Sequence, residues 1–523
     1  MLFNSYIFIF LFLPLCLMGF YMLQNRQATL AKVWLTCFSL WFYGYFNRSY
    51  LLIMVCSIVG NYLVHRWIVR ASKEEKNEDY EKQSGEIKKK SKTIMIVGVV
   101  LNLLVLFYFK YFDFFLDNIN TLFGSSIPLK HILLPLGISF FTFQQISFLV
   151  DTYRGELDAI SFVDYALFVS FFSQLIAGPI VVHEEMLPQF ARIGNDDRSK
   201  EEKLALFIRG VYVFVLGLAK KVLIADTFGI AVDLAYSNVN GINAFESLIT
   251  ILFYSLQLYF DFSGYCDMAK GIAGMFGMRI ANNFNSPYKA VNIVDFWKRW
   301  HITLSRFFTK NIYIPLGGNR KGESRMYLNY LIVFFLSGLW HGAGWNFILW
   351  GMMHGILYVV TKWWIKHSAK KYVVQNETSA WERVCNKKQG IVKIIGCIFT
   401  FAYVSIAWVY FRATSVGEAN TLLMNLFTKP WALPGSGFTD AFNLGEFWYV
   451  LKILKVASLP YAQYYVMILF VVVTLGITFW GKNIDELAEK FKPTIFNAIL
   501  TAVLFIWCVV SLSGVSTFLY FNF

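Results

Sequence analysis

The sequence predicts an all-α protein that crosses a membrane several times. Its 523 residues are 57% hydrophobic and only 15% charged, and the mean hydropathy is +0.50. A soluble chain of this length needs more polar surface, so lipid must replace water around much of it. The apolar residues also fall in long blocks, near or above the ~20 residues that cross hydrocarbon as a helix. These observations exclude an ordinary soluble domain.

Eight apolar blocks carry this prediction. In order they cover residues 2–22, 30–46, 50–69, 93–116, 331–360, 392–411, 464–480 and 496–512. The first block has neither a basic start nor a small-residue cleavage site, and a second block follows at once. We therefore expect it to be a retained helix and not a cleaved signal peptide.

The net charge of +14 is concentrated in two segments, residues 66–90 and 362–388. Loops that are rich in lysine and arginine stay in the cytoplasm, so both segments are expected there, with the N-terminus outside. The basic excess is therefore a signal of topology and not of nucleic-acid binding. Contact with anionic lipid is a plausible side effect.

We expect one integral-membrane domain over residues 1–523, with N-terminal helices in 1–116, a core in 133–366 and C-terminal helices in 392–523. The core is richer in proline, glycine and polar residues than its flanks. Non-helical backbone at membrane depth survives only where protein or a water-lined cavity surrounds it. Short re-entrant helices around a cavity are the expectation. The chain has no detectable internal repeat, which argues against an inverted-repeat transporter.

One basic amphipathic helix is expected over Val291 to Phe308, lying at the membrane surface. Apolar side chains recur there at helical spacing, at positions 293, 297, 300, 304 and 307. Asp295 and Arg299 are four residues apart and can form an ion pair. A membrane anchor explains this whole segment except His301.

His341 lies in the middle of an apolar run that starts near Met326 and ends near Lys362. The run fits a helical hairpin that turns near Gly342 and Gly344. His341 is 15 positions after Met326, which is roughly 22 Å along the helix. We therefore expect His341 deep in the membrane, toward the outer face.

A neutral imidazole at that depth can take a proton from a sugar hydroxyl that attacks a thioester, and return it to the leaving thiolate. Histidine inside a membrane is costly and is a functional candidate for that reason. From spacing alone, a packing role for His341 is equally open, and packing is favoured for His354. Cys266 is a candidate acylated nucleophile, but a small buried side chain is the favoured interpretation. With no CxxC pair, no metal site is expected.

Five segments resemble the membrane-bound O-acyltransferase family, in particular its bacterial branch that includes the alginate O-acetylation membrane protein. They are residues 259–267, 283–288, 295–305, 313–320 and 338–342. Segments 134–143, 151–153, 174–179 and 518–523 are similar to the same branch. The resemblance covers nearly the whole chain, and the part from Asp295 to His341 is highly specific.

The resemblance implies about 11–12 transmembrane helices, with short re-entrant and interfacial helices around a central tunnel that the donor enters from the cytoplasm. It implies that His341 is catalytic and that His301 is either catalytic or lines the tunnel. The implied donor is acetyl-CoA, used as a substrate, with no bound cofactor. The implied acceptor is an alginate-like exopolysaccharide or peptidoglycan, and the implied partner is a periplasmic or surface acetyltransferase of the SGNH type. The protein would then lie in the bacterial cytoplasmic membrane.

Three alternatives stay open at this point. The first is transfer of D-alanine toward teichoic acid, although the length of this chain fits the alginate-like branch better. The second is a transporter for a lipid-linked sugar, for which Asp151, Asp261 and Asp267 are the acidic candidates. The third is a non-catalytic scaffold for a secreted acyltransferase. If the chain forms the tunnel that the family resemblance implies, Asp261, Asn285 and Arg299 are expected to hold the tunnel walls through buried hydrogen bonds.

Overall fold

The computed structural model describes residues 1–77, 81–370, 389–443, 449, 451–453, 455, 459–513 and 518–519, and every regular element in these ranges is a helix. In chain order the α-helices are α1 (Leu13–Gln24), α2 (Ala28–Gly44), α3 (Arg48–Asn77), α4 (Glu81–Leu106), α5 (Phe112–Phe123), α6 (Ile138–Tyr153), α7 (Phe162–Ser170), α8 (His183–Ala191), α9 (Lys200–Ala219), α10 (Asp226–Ser237), α11 (Ala244–Met275), α12 (Ile293–Arg299), α13 (Ile302–Phe308), α14 (Glu323–His341), α15 (Trp345–Lys370), α16 (Gln389–Arg412), α17 (Val416–Thr428), α18 (Ser436–Asp440), α19 (Ala462–Trp480), α20 (Ile484–Lys490) and α21 (Ile495–Val510). Single π-helical turns occur at Phe8–Phe12, Phe107–Tyr111, Lys220–Ala225 and Thr309–Tyr313, and 3₁₀ turns at Pro287–Lys289 and Ser511–Ser513.

Several of these helices are suited to a membrane. Four stretches in the described residues are long and apolar enough to cross one: Arg48–Lys73, Lys90–Phe123, Gly390–Arg412 and Ala462–Trp480. They coincide with predicted blocks, and two shorter apolar helices, Phe8–Gln24 and Ile495–Val510, coincide with two more. The prediction of an all-α, multi-pass membrane protein is therefore confirmed. The total of 11–12 crossings stays a prediction, since it would require crossings by less apolar helices as well.

The two basic segments differ from the loops that we expected. Residues 66–77 continue helix α3 and residues 81–90 begin helix α4, so most of the first segment is helical. Lysine and glutamate favour helix, which explains why two apolar helices extend into this charged segment. In the second segment, Lys362, Lys366 and Lys370 belong to α15. Residues 371–388 lie outside the described residues.

The helices form two compact units. The first contains Met1–Phe214 and Met268–Ala281, and the second contains Val215–Asp267 and Asn282–Phe523. In the first unit, Asn61 of α3 and Asn102 of α4 exchange side-chain hydrogen bonds at 3.1 and 2.6 Å. The second unit contains both predicted site histidines. The prediction of a single domain in three segments stays a prediction.

The prediction of a single amphipathic helix over residues 291–308 is wrong. The segment forms two short helices, α12 and α13, because His301 adopts a left-handed conformation with φ of +45°. All five stripe residues, at positions 293, 297, 300, 304 and 307, are buried in the protein. The predicted ion pair between Asp295 and Arg299 is present, with 2.8 Å between Arg299 Nε and Asp295 Oδ1.

Candidate active site

Helices α14 and α15 form the hairpin predicted around His341. Helix α14 ends at His341, followed by extended backbone at Gly342, and α15 begins at Trp345. The two helices approach closely at Gly338 and Gly351. A Cβ atom on Gly351 would lie 2.4 Å from the main-chain oxygen of Phe334, so only glycine fits there. The glycines therefore determine where the end of α14, and with it His341, lies against α15.

His341 is 3% exposed and lies in an aromatic enclosure. Its ring centroid is 4.8 Å from that of Trp340, 5.0 Å from that of Trp350 and 5.1 Å from that of Phe411. The imidazole is therefore inside the protein and does not face lipid. Aromatic faces on several sides restrict the approach of water.

His301 lies beside His341, although 40 residues of sequence separate them. Its ring is completely buried, and the two imidazole centroids are 6.3 Å apart. Phe262 packs edge-on against His301 at 4.9 Å. Burial lowers the pKa of His301, which is outside the candidate spans, to about 3, so this ring is neutral near pH 7. The structure thus brings both predicted histidines together, while their catalytic roles stay predictions.

His354 is closer to the site than the sequence indicated. The indole N–H of Trp297 donates to Nδ1 of His354 at 3.3 Å. Trp350 packs on both His354 and His341, with centroid separations of 5.0 Å in each case. His354 therefore packs against the same indole that contacts His341.

Asn283 is a site residue that the sequence analysis did not single out. It follows α11 and packs against the break between α12 and α13, where its side-chain oxygen accepts hydrogen bonds from Thr303. Its amide donates to the Sγ of Cys266 at 3.4 Å. Cys266 is 5% exposed, which agrees with the interpretation of a small buried side chain. Asn283 was within a segment quoted for the family resemblance, but nothing local distinguished it from its neighbours.

The acidic candidates for a transport path all have cationic partners in the described residues. Asp261 accepts from Lys221 at 2.5 Å and Asp267 from Lys220 at 2.6 Å, while Asp151 lies 3.8 Å from Nη1 of Arg154. Asp261 also accepts the main-chain N–H of Leu519 at 3.0 Å.

The expected role of Asp261 in a buried hydrogen-bond network is therefore observed. Asn285 and Arg299 are also bonded to each other, with Asn285 N–H donating to the Arg299 carbonyl at 2.9 Å. However, Asn285 is exposed and Arg299 half-buried. These two residues therefore lie at a more accessible position than we expected.

A cavity of about 550 Å³ lies next to the segments that carry the two histidines, although neither histidine lines it. Ile302, which follows His301, and Ser337, one helical turn before His341 on α14, are among the lining residues, together with Trp297. Three basic residues line the same cavity: Lys298, Arg306 and Lys310. Its interior is largely apolar, with Leu304, Phe308, Val333 and Phe334 among its walls. This lining suits a ligand with an anionic group and a less polar part.

Several known proteins are similar in sequence to this chain. A peptidoglycan O-acetyltransferase of Helicobacter pylori is 41% identical over 453 residues, which cover 82% of this chain and 80% of that protein. A probable alginate O-acetylase, AlgI, of Pseudomonas aeruginosa is 35% identical over 89% of this chain and 82% of its own length. A teichoic acid D-alanyltransferase of Streptococcus thermophilus is more distant, at 26% over 53% of this chain and 68% of that protein.

The family assignment follows from these similarities and from a match to the membrane-bound O-acyltransferase family over residues 103–407. That region contains His301, His341, Asn283 and the cavity described above. The chain belongs to the membrane-bound O-acyltransferase family.

Proposed function

We propose that this protein transfers an acetyl group from acetyl-CoA to a hydroxyl group of a polysaccharide outside the cytoplasm, with His341 as the general base. The observation that carries the proposal is the pair of buried imidazoles, 6.3 Å apart, at the end of a glycine-packed hairpin. The two more similar relatives reported above are an O-acetyltransferase and a probable O-acetylase, which supports acetyl as the group transferred.

The chemistry needs one base and a donor thioester. The hydroxyl oxygen of the acceptor attacks the thioester carbonyl carbon while a ring nitrogen of His341 takes the hydroxyl proton. The carbon–sulfur bond then breaks, and the same proton passes to the departing sulfur. The products are an acetyl ester and free coenzyme A thiol. Because the acceptor brings its own nucleophile, no acyl-enzyme on serine or cysteine is required.

The cavity lined by Trp297 and Ser337 is the proposed donor site. Lys298, Arg306 and Lys310 would bind the phosphates of coenzyme A, since clustered cations bind phosphate through charge-assisted hydrogen bonds. The apolar interior would accept the pantetheine arm and place the thioester near Trp297 and Ser337. Acetyl-CoA is a substrate here and leaves as coenzyme A after each turnover.

The acceptor and the partner follow from the relatives. Peptidoglycan is named for the Helicobacter pylori protein and alginate for the Pseudomonas aeruginosa protein, so the acceptor is a cell-surface glycan of this type. The positive-inside rule supports a position in the cytoplasmic membrane, with donor access from the cytoplasm. The proposed partner of this protein in glycan acetylation is a periplasmic or surface acetyltransferase of the SGNH type.

The experiment is a comparison of glycan ester content between cells with wild-type protein and cells with His341→Ala. We expect the variant to reach the membrane in normal amounts while acetyl esters disappear from the glycan. His367→Ala is the matched control, because His367 is exposed at the end of α15. Ester content that is undiminished in His341→Ala would refute the mechanism. Mass spectrometry of the released acid separates acetate from D-alanine, the alternative acyl group.

A further inference from the structure

Asn283 fixes the backbone that directly follows His301. Its side-chain oxygen accepts from the hydroxyl of Thr303 at 2.9 Å and from the N–H of Thr303 at 3.3 Å. Its main-chain carbonyl accepts the N–H of Ile302 at 3.0 Å. These bonds support residue 301 in a left-handed conformation that only a few per cent of residues other than glycine adopt. Asn283 therefore stabilises the break that separates α12 from α13.

The side-chain oxygen of Asn283 also contacts the imidazole of His301. Nδ1 of His301 lies 3.1 Å from Oδ1 of Asn283. A main-chain N–H can only donate, so the atom of Asn283 that faces Thr303 N–H must be the carbonyl oxygen and not the amide nitrogen. The contact between the amide nitrogen and Cys266 agrees with this orientation.

The orientation of the amide determines where His301 carries its hydrogen. A carbonyl oxygen can only accept, so Nδ1 of His301 is the donor in this contact. In a neutral imidazole the other nitrogen, Nε2, then carries the lone pair. His301 is thus a hydrogen-bond acceptor on the side of the ring that Asn283 does not touch.

We propose that Asn283 is a positioning residue that holds His301 in the Nδ1–H tautomer, so that Nε2 is left as the acceptor of a ring that lies 6.3 Å from His341, centroid to centroid. In this state Nε2 can receive a hydrogen bond from the attacking hydroxyl or from the ring N–H of His341. It cannot donate one to the thioester carbonyl. The inference rests on the proposed acetyl transfer for its catalytic meaning, whereas the tautomer exists independently of the reaction.

The tautomer can be measured directly in the full-length protein. The wild-type protein, labelled with ¹⁵N at its histidine side chains and kept in detergent, is examined by NMR, which distinguishes protonated from unprotonated ring nitrogens. The His301 signals are assigned by their loss in His301→Gln. We expect a protonated Nδ1 and an unprotonated Nε2. A hydrogen on Nε2 in the wild-type protein would overturn the inference.

Two substitutions at Asn283 connect the tautomer to catalysis. Asn283→Leu keeps a similar volume but offers no acceptor, so His301 should gain the Nε2–H form and kcat should fall by about 10²–10⁴, the range for general acid–base catalysis. Asn283→Asp retains an acceptor and should preserve both the tautomer and most of kcat. Equal kcat for Asn283→Leu and wild type would also overturn the inference.

Controls separate this inference from folding and from the proposed function. Asn425→Leu removes another buried amide, whose bond to the carbonyl of Val239 is 2.7 Å long, on helix α17. It should leave kcat unchanged. If Asn283→Leu does not fold, the wild-type spectrum and Asn283→Asp decide the question. If no variant or wild type transfers acetyl, the proposed function fails while the spectrum still tests the tautomer.

Discussion

The contact between Gly338 and Gly351 offers a precise test of how the hairpin positions His341. In Gly351→Ala the new Cβ would lie 2.4 Å from the main-chain oxygen of Phe334, whereas an ordinary contact begins at 3.4 Å. The difference of 3.4 − 2.4 = 1.0 Å must come from separation of α14 and α15, since main-chain atoms cannot rotate away. His341 is three residues after Gly338 on α14 and should move with it.

This displacement should be visible in both stability and rate. Overpacking of this kind costs about 1–3 kcal/mol of unfolding free energy. A misplacement of about 1 Å at a catalytic group can reduce the rate by about 10²-fold. The assays are the thermal unfolding midpoint of the detergent-solubilised protein and kcat with acetyl-CoA and a glycan acceptor.

Gly476→Ala is the matched control, because among the described residues no atom beyond its own helix backbone lies within 4 Å of the Cβ position on Gly476, inside helix α19. It should leave kcat unchanged and, as a helical glycine-to-alanine change, stabilise by about 0.5–1 kcal/mol. If Gly351→Ala matched this control in both measurements, the close approach would not position His341 and the reasoning would be refuted.

The remaining predictions concern the buried ions and the cavity. Lys221→Met removes the cation that lies 2.5 Å from Asp261 and 2.8 Å from Asp226, so the unfolding free energy should fall by about 3–5 kcal/mol. Asp233→Asn breaks an ion pair whose aspartate is exposed, and should cost about 1 kcal/mol or less. Thermal unfolding of both variants checks this, and equal midpoints would contradict it. The double variant Lys298→Glu with Arg306→Glu reverses two charges in the cavity. It should raise KM for acetyl-CoA about tenfold or more at low salt and change kcat little. The increase in KM should be smaller at high salt, because salt screens the charges. Lys321→Glu is the control, because Lys321 is exposed and outside the cavity lining, and it should leave KM for acetyl-CoA unchanged. If the double variant also left this KM unchanged, the donor would bind elsewhere and the prediction would be wrong.

The elements that the sequence predicted well are those with local causes. Apolar blocks such as 392–411 and 464–480 became helices at nearly the predicted bounds, because a membrane span depends on the composition of its own residues. The turn at Gly342 and Gly344 was equally local, since glycines ended one helix and another apolar stretch followed. His341 was therefore placed from sequence at the correct end of the correct helix.

The features that the sequence did not predict depend on contacts between distant residues. Nothing in the segment around His301 indicated a helix break, because histidine carries no strong preference for a left-handed conformation. The break is stabilised by Asn283, 18 residues earlier, through bonds that exist only in the folded chain. The role of His354 was also hidden, since it depends on the indole of Trp297 from another helix.

The aromatic enclosure of His341 also bears on which nucleophile reacts. A base beside an activated thioester would promote attack by water, which is far more abundant than any sugar hydroxyl. Trp340, Trp350 and Phe411 surround the imidazole with surfaces that offer water few hydrogen bonds. Loss of this shielding, for example in Trp350→Ala, should turn the enzyme into a wasteful acetyl-CoA hydrolase. The indoles would thus conserve the cell's supply of activated acetate, a benefit separate from the speed of transfer.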